Sequence, residues 1–191
     1  MFTLFEPSDE RIKEFLAQQR ELPFSYREVG ASQIEIPSGY PINHHRIQLG
    51  AGSDAFAAAK DAIRRWTMYK LGWTRLYPAT TPIAAGEVVC VIVNHGFCWS
   101  LNPCRIVYVL EESEVIERFG FAFGTLPGHS EEGEERFTVE RRSDDSVWFE
   151  LLSFARAHHI LARIGFPFVP LFQNKFARDS QRAMIGAIGG K

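Results

Sequence analysis

A two-residue alternation runs through residues 119–124, where Phe119, Phe121 and Phe123 are separated by Gly120, Ala122 and Gly124. That period puts all the bulk on one face of a β-strand. Leu126-Pro127-Gly128 breaks the pattern, and Phe137 and Val139 resume it. Residues 120–137 therefore read as two strands meeting at a turn that carries His129, Glu131, Glu132, Glu134 and Glu135.

The same reasoning extends in both directions. Ser8 can cap a helix with Asp9 and Glu10 in its first turn, and Ile12, Phe15, Leu16 and Gln19 follow at helical spacing until Pro23. Residues 24–39 carry Gly30, Pro37 and Gly39 and read as loop. Ile42 to Leu49 alternates imperfectly, as a strand, and Gly50 and Gly52 turn the chain. Ser53 or Asp54 then caps a second helix, whose stripe of Phe56, Ala59, Ile63, Trp66 and Tyr69 runs to about Leu71, with Gly72 as the stop. Further strands are expected at 74–77, 87–94, 105–112, 117–124, 134–142 and 147–155, the last two joined by the turn Ser143–Ser146. The tail from about His158 to Ile188 has a helical stripe through Ile164, Phe168, Leu171, Phe172, Phe176 and Met184, with Pro167 and Pro170 kinking or dividing its first part.

Strands joined by short turns argue for one antiparallel sheet, and its apolar face needs a cover that the last helix can supply. The expected fold class is α+β: a curved antiparallel sheet of about six or seven strands wrapped around a long C-terminal helix. No repeat or low-complexity linker interrupts residues 1–191, so a single domain is expected.

Composition narrows the function classes. The chain has 191 residues, of which 46% are hydrophobic and 23% charged, and this belongs to a globular protein with a sizeable core. Its 21 basic and 23 acidic residues give a formal charge of -2, which leaves no electrostatic footprint for nucleic acid or an anionic membrane. No apolar run is long enough to span a bilayer, and MFTLFEPSDE lacks the basic and apolar regions of a signal peptide. Cys90, Cys98 and Cys104 are an odd number without scaffold spacing, and reduced thiols in the cytoplasm are the simplest reading. Gly50-Ala51-Gly52 precedes a helix, but neither a Walker A loop nor a dinucleotide fingerprint surrounds it, so no nucleotide cofactor is expected.

The order of elements resembles the helix-grip fold of the START and Bet v 1-like superfamily, which holds ligand carriers, cyclases and hydrolases and so implies architecture more than chemistry. A closer resemblance rests on residues 24–30 (FSYREVG), 37–40 (PSGY), 49–52 (LGAG), 102–109 (NPCRIVYV), 124–129 (GTLPGH) and 133–135 (GEE). This combination resembles the uncharacterised DUF1990 (UPF0548) family over nearly the whole chain. The resemblance implies no catalytic residues, but it makes the acidic turn a family motif.

Several groups are candidates for chemistry. His129 beside four glutamates could serve as a general acid/base pair or a divalent-metal site, or it could be a solvated turn. Strand parity puts Glu135 with Phe137 and Val139, so Glu135 is the expected inward carboxylate, and Arg105, assigned the parity of Val107 and Val109, is its expected partner. His95, Cys98 and Cys104 lack the paired-cysteine spacing of zinc modules, and no metal is expected there. Nothing around Cys98 or Cys104 marks a nucleophile. His44 and His45 are neighbours on a strand, so one faces inward and one outward. His158-His159 reads as a capping and surface pair. Phe97, Trp99, Tyr108, Phe121, Phe123, Trp148, Phe154, Phe168 and Phe172 either line a cavity or fill a core.

These readings converge on a small, largely apolar or amphipathic ligand held between the sheet and the C-terminal helix. Arg105, Tyr108 and Glu135 would be polar anchors, His129 would lie near the mouth, and Phe121, Phe123, Trp148 and Phe172 would be walls. Two alternatives stand beside this: an enzyme using His129 and a glutamate in the same space, and a partner-binding module with a filled core and an exposed apolar patch over Phe166–Phe172. Nothing in the sequence sets the oligomeric state.

Overall fold

The computed structural model describes residues 1–113, 116–157 and 169–189. The elements are β1 (Phe2–Thr3), α1 (Asp9–Gln19), the short α2 (Ala31–Ile34), β2 (Ile42–Ala51), α3 (Gly52–Arg64), a 3-10 turn (Thr67–Tyr69), β3 (Thr74–Tyr77), β4 (Val88–Asn94), β5 (Trp99–Ser113), β6 (Glu117–Thr125), β7 (Glu131–Arg141), β8 (Ser146–Ala157) and α4 (Val169–Gly189). The sheet order is β2-β8-β7-β6-β5-β4-β3, every pair antiparallel, with β1 added alongside β5. The sheet is curved, and α3 and α4 pack against its concave face. No helix among the described residues is long and apolar enough to cross a membrane.

The period-two positions of β6 and β7 supply the floor of the core. Phe119, Phe121, Phe123, Phe137 and Val139 pack with Phe149 and Leu151 of β8 and with Phe56, Ile63 and Trp66 beneath α3. Fully burying each such aromatic or branched side chain contributes roughly 1.5–3 kcal/mol. The indole of Trp66 meets the Phe121 ring edge-on at 4.8 Å. Strand β4 shows no alternation because both of its faces are covered. Val89 and Val91 join this core, whereas Val88, Cys90 and Ile92 join a second cluster under Ile12, Phe15 and Leu16 of α1.

On the outer face, residues 24–40 are held against the sheet. Tyr26 and Tyr40 enclose Phe154, and a Cβ on Gly124 would lie 2.1 Å from the Tyr26 hydroxyl, so this close approach requires glycine.

Several boundaries differ from those the sequence pattern predicts. Strand β5 starts at Trp99 and runs through Pro103. The proline is tolerated there because its carbonyl accepts from Leu126 N, 3.0 Å away, just beyond the last β5–β6 pair at Cys104 and Thr125, so its missing N–H falls outside that ladder. Strand β7 starts at Glu131, which places the glutamates of the acidic segment in the strand and leaves the turn to 126–130. Helix α3 stops at Arg64, ahead of a left-handed Trp66 (φ 55), and Gly52 opens it with no side-chain cap from Ser53 or Asp54. The His158-His159 pair, Ile164, Phe166, Pro167 and Phe168 lie outside the described residues.

Candidate functional site

Between the concave face and α4 lies a cavity of about 950 Å³. Its walls come from β4, β6 and β8 (Val91, Val93, Phe123, Leu151) and from α4 (Phe172, Phe176). At the mouth the N-terminal segment and the β4–β5 turn present Leu4 and Phe97, which are 77% and 80% exposed. The curvature of the sheet holds its far strands apart, and α4 bridges them, packing on α3 and β2.

A few polar groups converge on this space. Glu135 lies inward with Phe137 and Val139, screened from bulk solvent but open to the cavity. The Tyr69 hydroxyl donates to its Oε2 at 2.9 Å, and the other carboxyl oxygen has no hydrogen-bond donor among the described residues. Burial raises its pKa to about 8; the Tyr69 bond opposes that rise and the nearby Glu131 adds to it. Burial likewise raises Glu131, with partial relief from Gln173. Gln173 Nε2 donates to Glu131 Oε1 at 2.9 Å, and Asn43 Nδ2 donates to Gln173 Oε1 at 2.9 Å, so α4, β7 and β2 meet in one chain of bonds. His129 also lines the cavity. Its Nδ1 accepts the Glu131 N–H at 2.9 Å, which puts the ring proton of a neutral imidazole on Nε2. His45, His95 and Cys98 also line the cavity; burial lowers the pKa values of the two histidines and raises that of the thiol, and His95 Nε2 lies 2.9 Å from Ser100 Oγ.

The structure brings Glu135, Phe123, His129 and Phe172 to the cavity, with His45, His95, Phe97 and Cys98 also on its lining, and puts Phe121, Arg105, Tyr108 and Trp148 elsewhere. Phe121 is fully buried in the core against Trp66. Arg105 is on the outer face, donating to the carbonyls of Arg20 and Leu22 at 2.5 and 2.9 Å and lying over the Phe24 ring. Tyr108 is also outside, its hydroxyl 2.6 Å from Ser32 Oγ. Trp148 stands on the outer face of β8 between the guanidinium groups of Arg46 and Arg142, at 4.9 and 5.4 Å. The expected Glu135–Arg105 pair is therefore corrected: the partner is Tyr69. A bulge between Ile106 and Tyr108 is the cause. Ahead of it Cys104 and Ile106 face the core, and beyond it Val109 does, so Arg105 and Val109 fall on opposite faces despite equal parity.

Glu134, next along the strand, points outward. Its Oε2 accepts from Tyr26 Oη at 2.7 Å and Gly30 N at 2.8 Å, and its Oε1 accepts from Ser32 N at 3.1 Å and from the Ser32 hydroxyl. Half of the acidic motif therefore secures residues 24–34, and the other half faces the cavity. His45 faces the cavity as well, whereas His44 lies 3.3 Å from Glu150 outside it. Among the described residues no three His, Cys, Asp or Glu side chains are grouped to hold a metal ion.

The model of a domain of unknown function, DUF1990, matches residues 25–183. The chain belongs to the DUF1990 family. It is 34% identical to a UPF0548 protein of Dictyostelium discoideum over 99% of this chain and 96% of that one. It is 35% identical to a UPF0548 protein of Deinococcus radiodurans over 99% and 100% of the two chains, and 35% identical to one of Arabidopsis thaliana over 77% and 73%. Among solved structures it is similar to the hypothetical protein jhp0584 of Helicobacter pylori, with a TM-score of 0.57 and 12% identity over 79% of this chain and 90% of that one. It is less similar to Ara h 8.0201, with a TM-score of 0.49 and 11% identity over 80% of this chain and 100% of that one. The architecture is helix-grip: a curved antiparallel sheet closed by a long C-terminal helix.

Sequence reasoning missed Tyr69, Asn43 and Gln173, and named Glu131 only as one of the four glutamates beside His129, without assigning it inward. Glu131 was within reach, since it shares the parity of Glu135 on the same strand. Tyr69 ends the α3 stripe, but the left-handed break at Trp66 sets its direction.

Proposed function

We propose that this protein binds a small, largely apolar or amphipathic molecule in the cavity between the sheet and α4. One observation carries the reading: a space of about 950 Å³ whose walls are mainly aromatic and aliphatic, with a few convergent polar groups. Spaces of this size and chemistry suit molecules of metabolite or drug size. Burial leaves Glu131 and Glu135 with raised pKa values, as at sites that engage ligands. Glu135, Glu131 and His129 are the anchors in this reading, with Phe123 and Phe172 as walls. The compartment that fits is the cytoplasm, supported by three unpaired thiols.

Native mass spectrometry of the protein purified from its own organism, followed by denaturing extraction, tests the proposal. The expected result is a stoichiometric adduct lost on extraction, and Nile red uptake by the emptied protein. A bare mass together with no Nile red uptake would overturn the reading.

A further inference from the structure

The charge lining the cavity is one-sided. Two carboxylates, Glu131 and Glu135, face the space, and among the described residues no Lys or Arg lines it. The groups around Glu135 are Tyr69 from the 3-10 turn, Cys104 from β5, Glu131 from its own strand, and the histidines His45, His95 and His129 on the wall. None of them is a permanent cation. Every outward glutamate of β7 has an electropositive or donating partner: Glu132 has Arg156, Glu134 has Tyr26, Ser32 and the Gly30 N–H, and Glu140 has Arg46 and Arg142. Glu135 has one neutral phenol and an oxygen with no donor among the described residues. Keeping an uncompensated carboxylate in an apolar space is costly, so this is the group left for an outside partner.

The geometry points to a ligand with an apolar body and a protonated amine, its ammonium group seated against Glu135 with Glu131 behind it. This rests on the cavity-binding reading above and adds the sign of the charge. Aromatic faces adjoin the seat: the Tyr69 ring lies 5.0 Å from Phe176 and 6.2 Å from Phe123, and such faces attract an ammonium ion. An anionic head would require both carboxyl groups to stay protonated and would find no Lys or Arg among the described lining residues, and a neutral head would leave the Glu135 oxygen with at most one hydrogen bond.

The proton balance is fixed by the pair. Glu135 titrates near 8, so at pH 7 the empty site holds a carboxylic acid. An alkylamine arrives protonated, the ion pair forms, and one proton leaves the carboxyl for the buffer. Affinity for the amine must therefore rise about tenfold per pH unit below about 8 and level off above it. A neutral alcohol of the same chain length should show no such slope.

Decylamine, decanol and decanoate, each below its micellar concentration, are to be compared in displacing Nile red from the full-length protein. The expected order is amine over alcohol over acid, with at least a tenfold preference for the amine at pH 8. In Glu135→Gln the amine and alcohol should converge. Calorimetry of the unaltered protein in two buffers of different ionisation enthalpy gives a second reading that needs no variant: close to one proton released per decylamine at pH 7, and none per decanol. Equal binding of all three, or preference for decanoate, would overturn the amine assignment and leave the apolar-binding reading standing. Failure of Nile red itself to bind, together with a bare native mass, would overturn both.

Discussion

Glu134 and Glu135 are chain neighbours with opposite surroundings, because a strand sends successive side chains to opposite faces. Glu134 accepts four hydrogen bonds from Tyr26, Gly30 and Ser32. Removing it orphans several buried donors at once, so Glu134→Ala is expected to cost about 3 kcal/mol or more, measured by urea unfolding. Glu135 shows the reverse. Its pKa is about 8 in the fold and near 4.5 when unfolded, so between those values the native state holds the extra proton. Stability is then greatest below pH 4.5 and declines as pH rises towards 8, by roughly 1.4 kcal/mol per pH unit from this group alone. Glu135→Gln should flatten that part of the profile and be more stable than the parent at pH 8. An unchanged slope in urea midpoints from pH 5 to pH 8 would mean that Glu135 is ionised throughout.

At the scale of elements, α4 closes the cavity and is anchored at its far end. Met184 is fully buried, and Ser180 Oγ donates to the Met68 carbonyl at 2.9 Å. Phe176 packs against Tyr69 on one side and faces the cavity on the other. Truncating an enclosed Phe costs about 3–5 kcal/mol, but a ring that already borders empty space loses fewer contacts. Phe176→Ala should therefore cost nearer 2 kcal/mol in a denaturant melt. These elements also mark what can be read from sequence. The alternation of Phe119, Phe121 and Phe123, the parity that sends Glu135 inward and the inside–outside split of His44 and His45 follow from a period of two, which needs no tertiary knowledge. Arg105 and Tyr108 were misassigned because one bulge shifts register within β5, and no local signal at Val107 announces it. Trp148 was misassigned because an aromatic residue is equally at home on an outer face when two arginines stack on it. Tyr69 and Gln173 depend on how α3 and α4 meet the sheet, a long-range fact that short-range spacing does not contain.

For the molecule as a whole, folding and binding make competing demands on one space. Interiors of this size are normally filled, and an unfilled apolar volume forgoes dispersion contacts that a packed core would make. Leu151 on β8 and Val91 on β4 face the cavity from well-separated strands of the sheet. Replacing both with Trp adds bulk from two sides and leaves Glu134, Glu135 and Tyr69 themselves unaltered. Where the indoles fit in relaxed rotamers, the added burial should leave stability unchanged or raise it by about 1–2 kcal/mol. Nile red uptake should fall at least tenfold, and any apolar molecule that raises the melting temperature of the parent by binding the native state should no longer do so. The pairing of these two readouts is decisive. Lost uptake with retained stability assigns binding to the interior. Retained uptake in a stable double variant would move the binding surface to the exposed Leu4 and Phe97 rim, where filling the cavity has no effect.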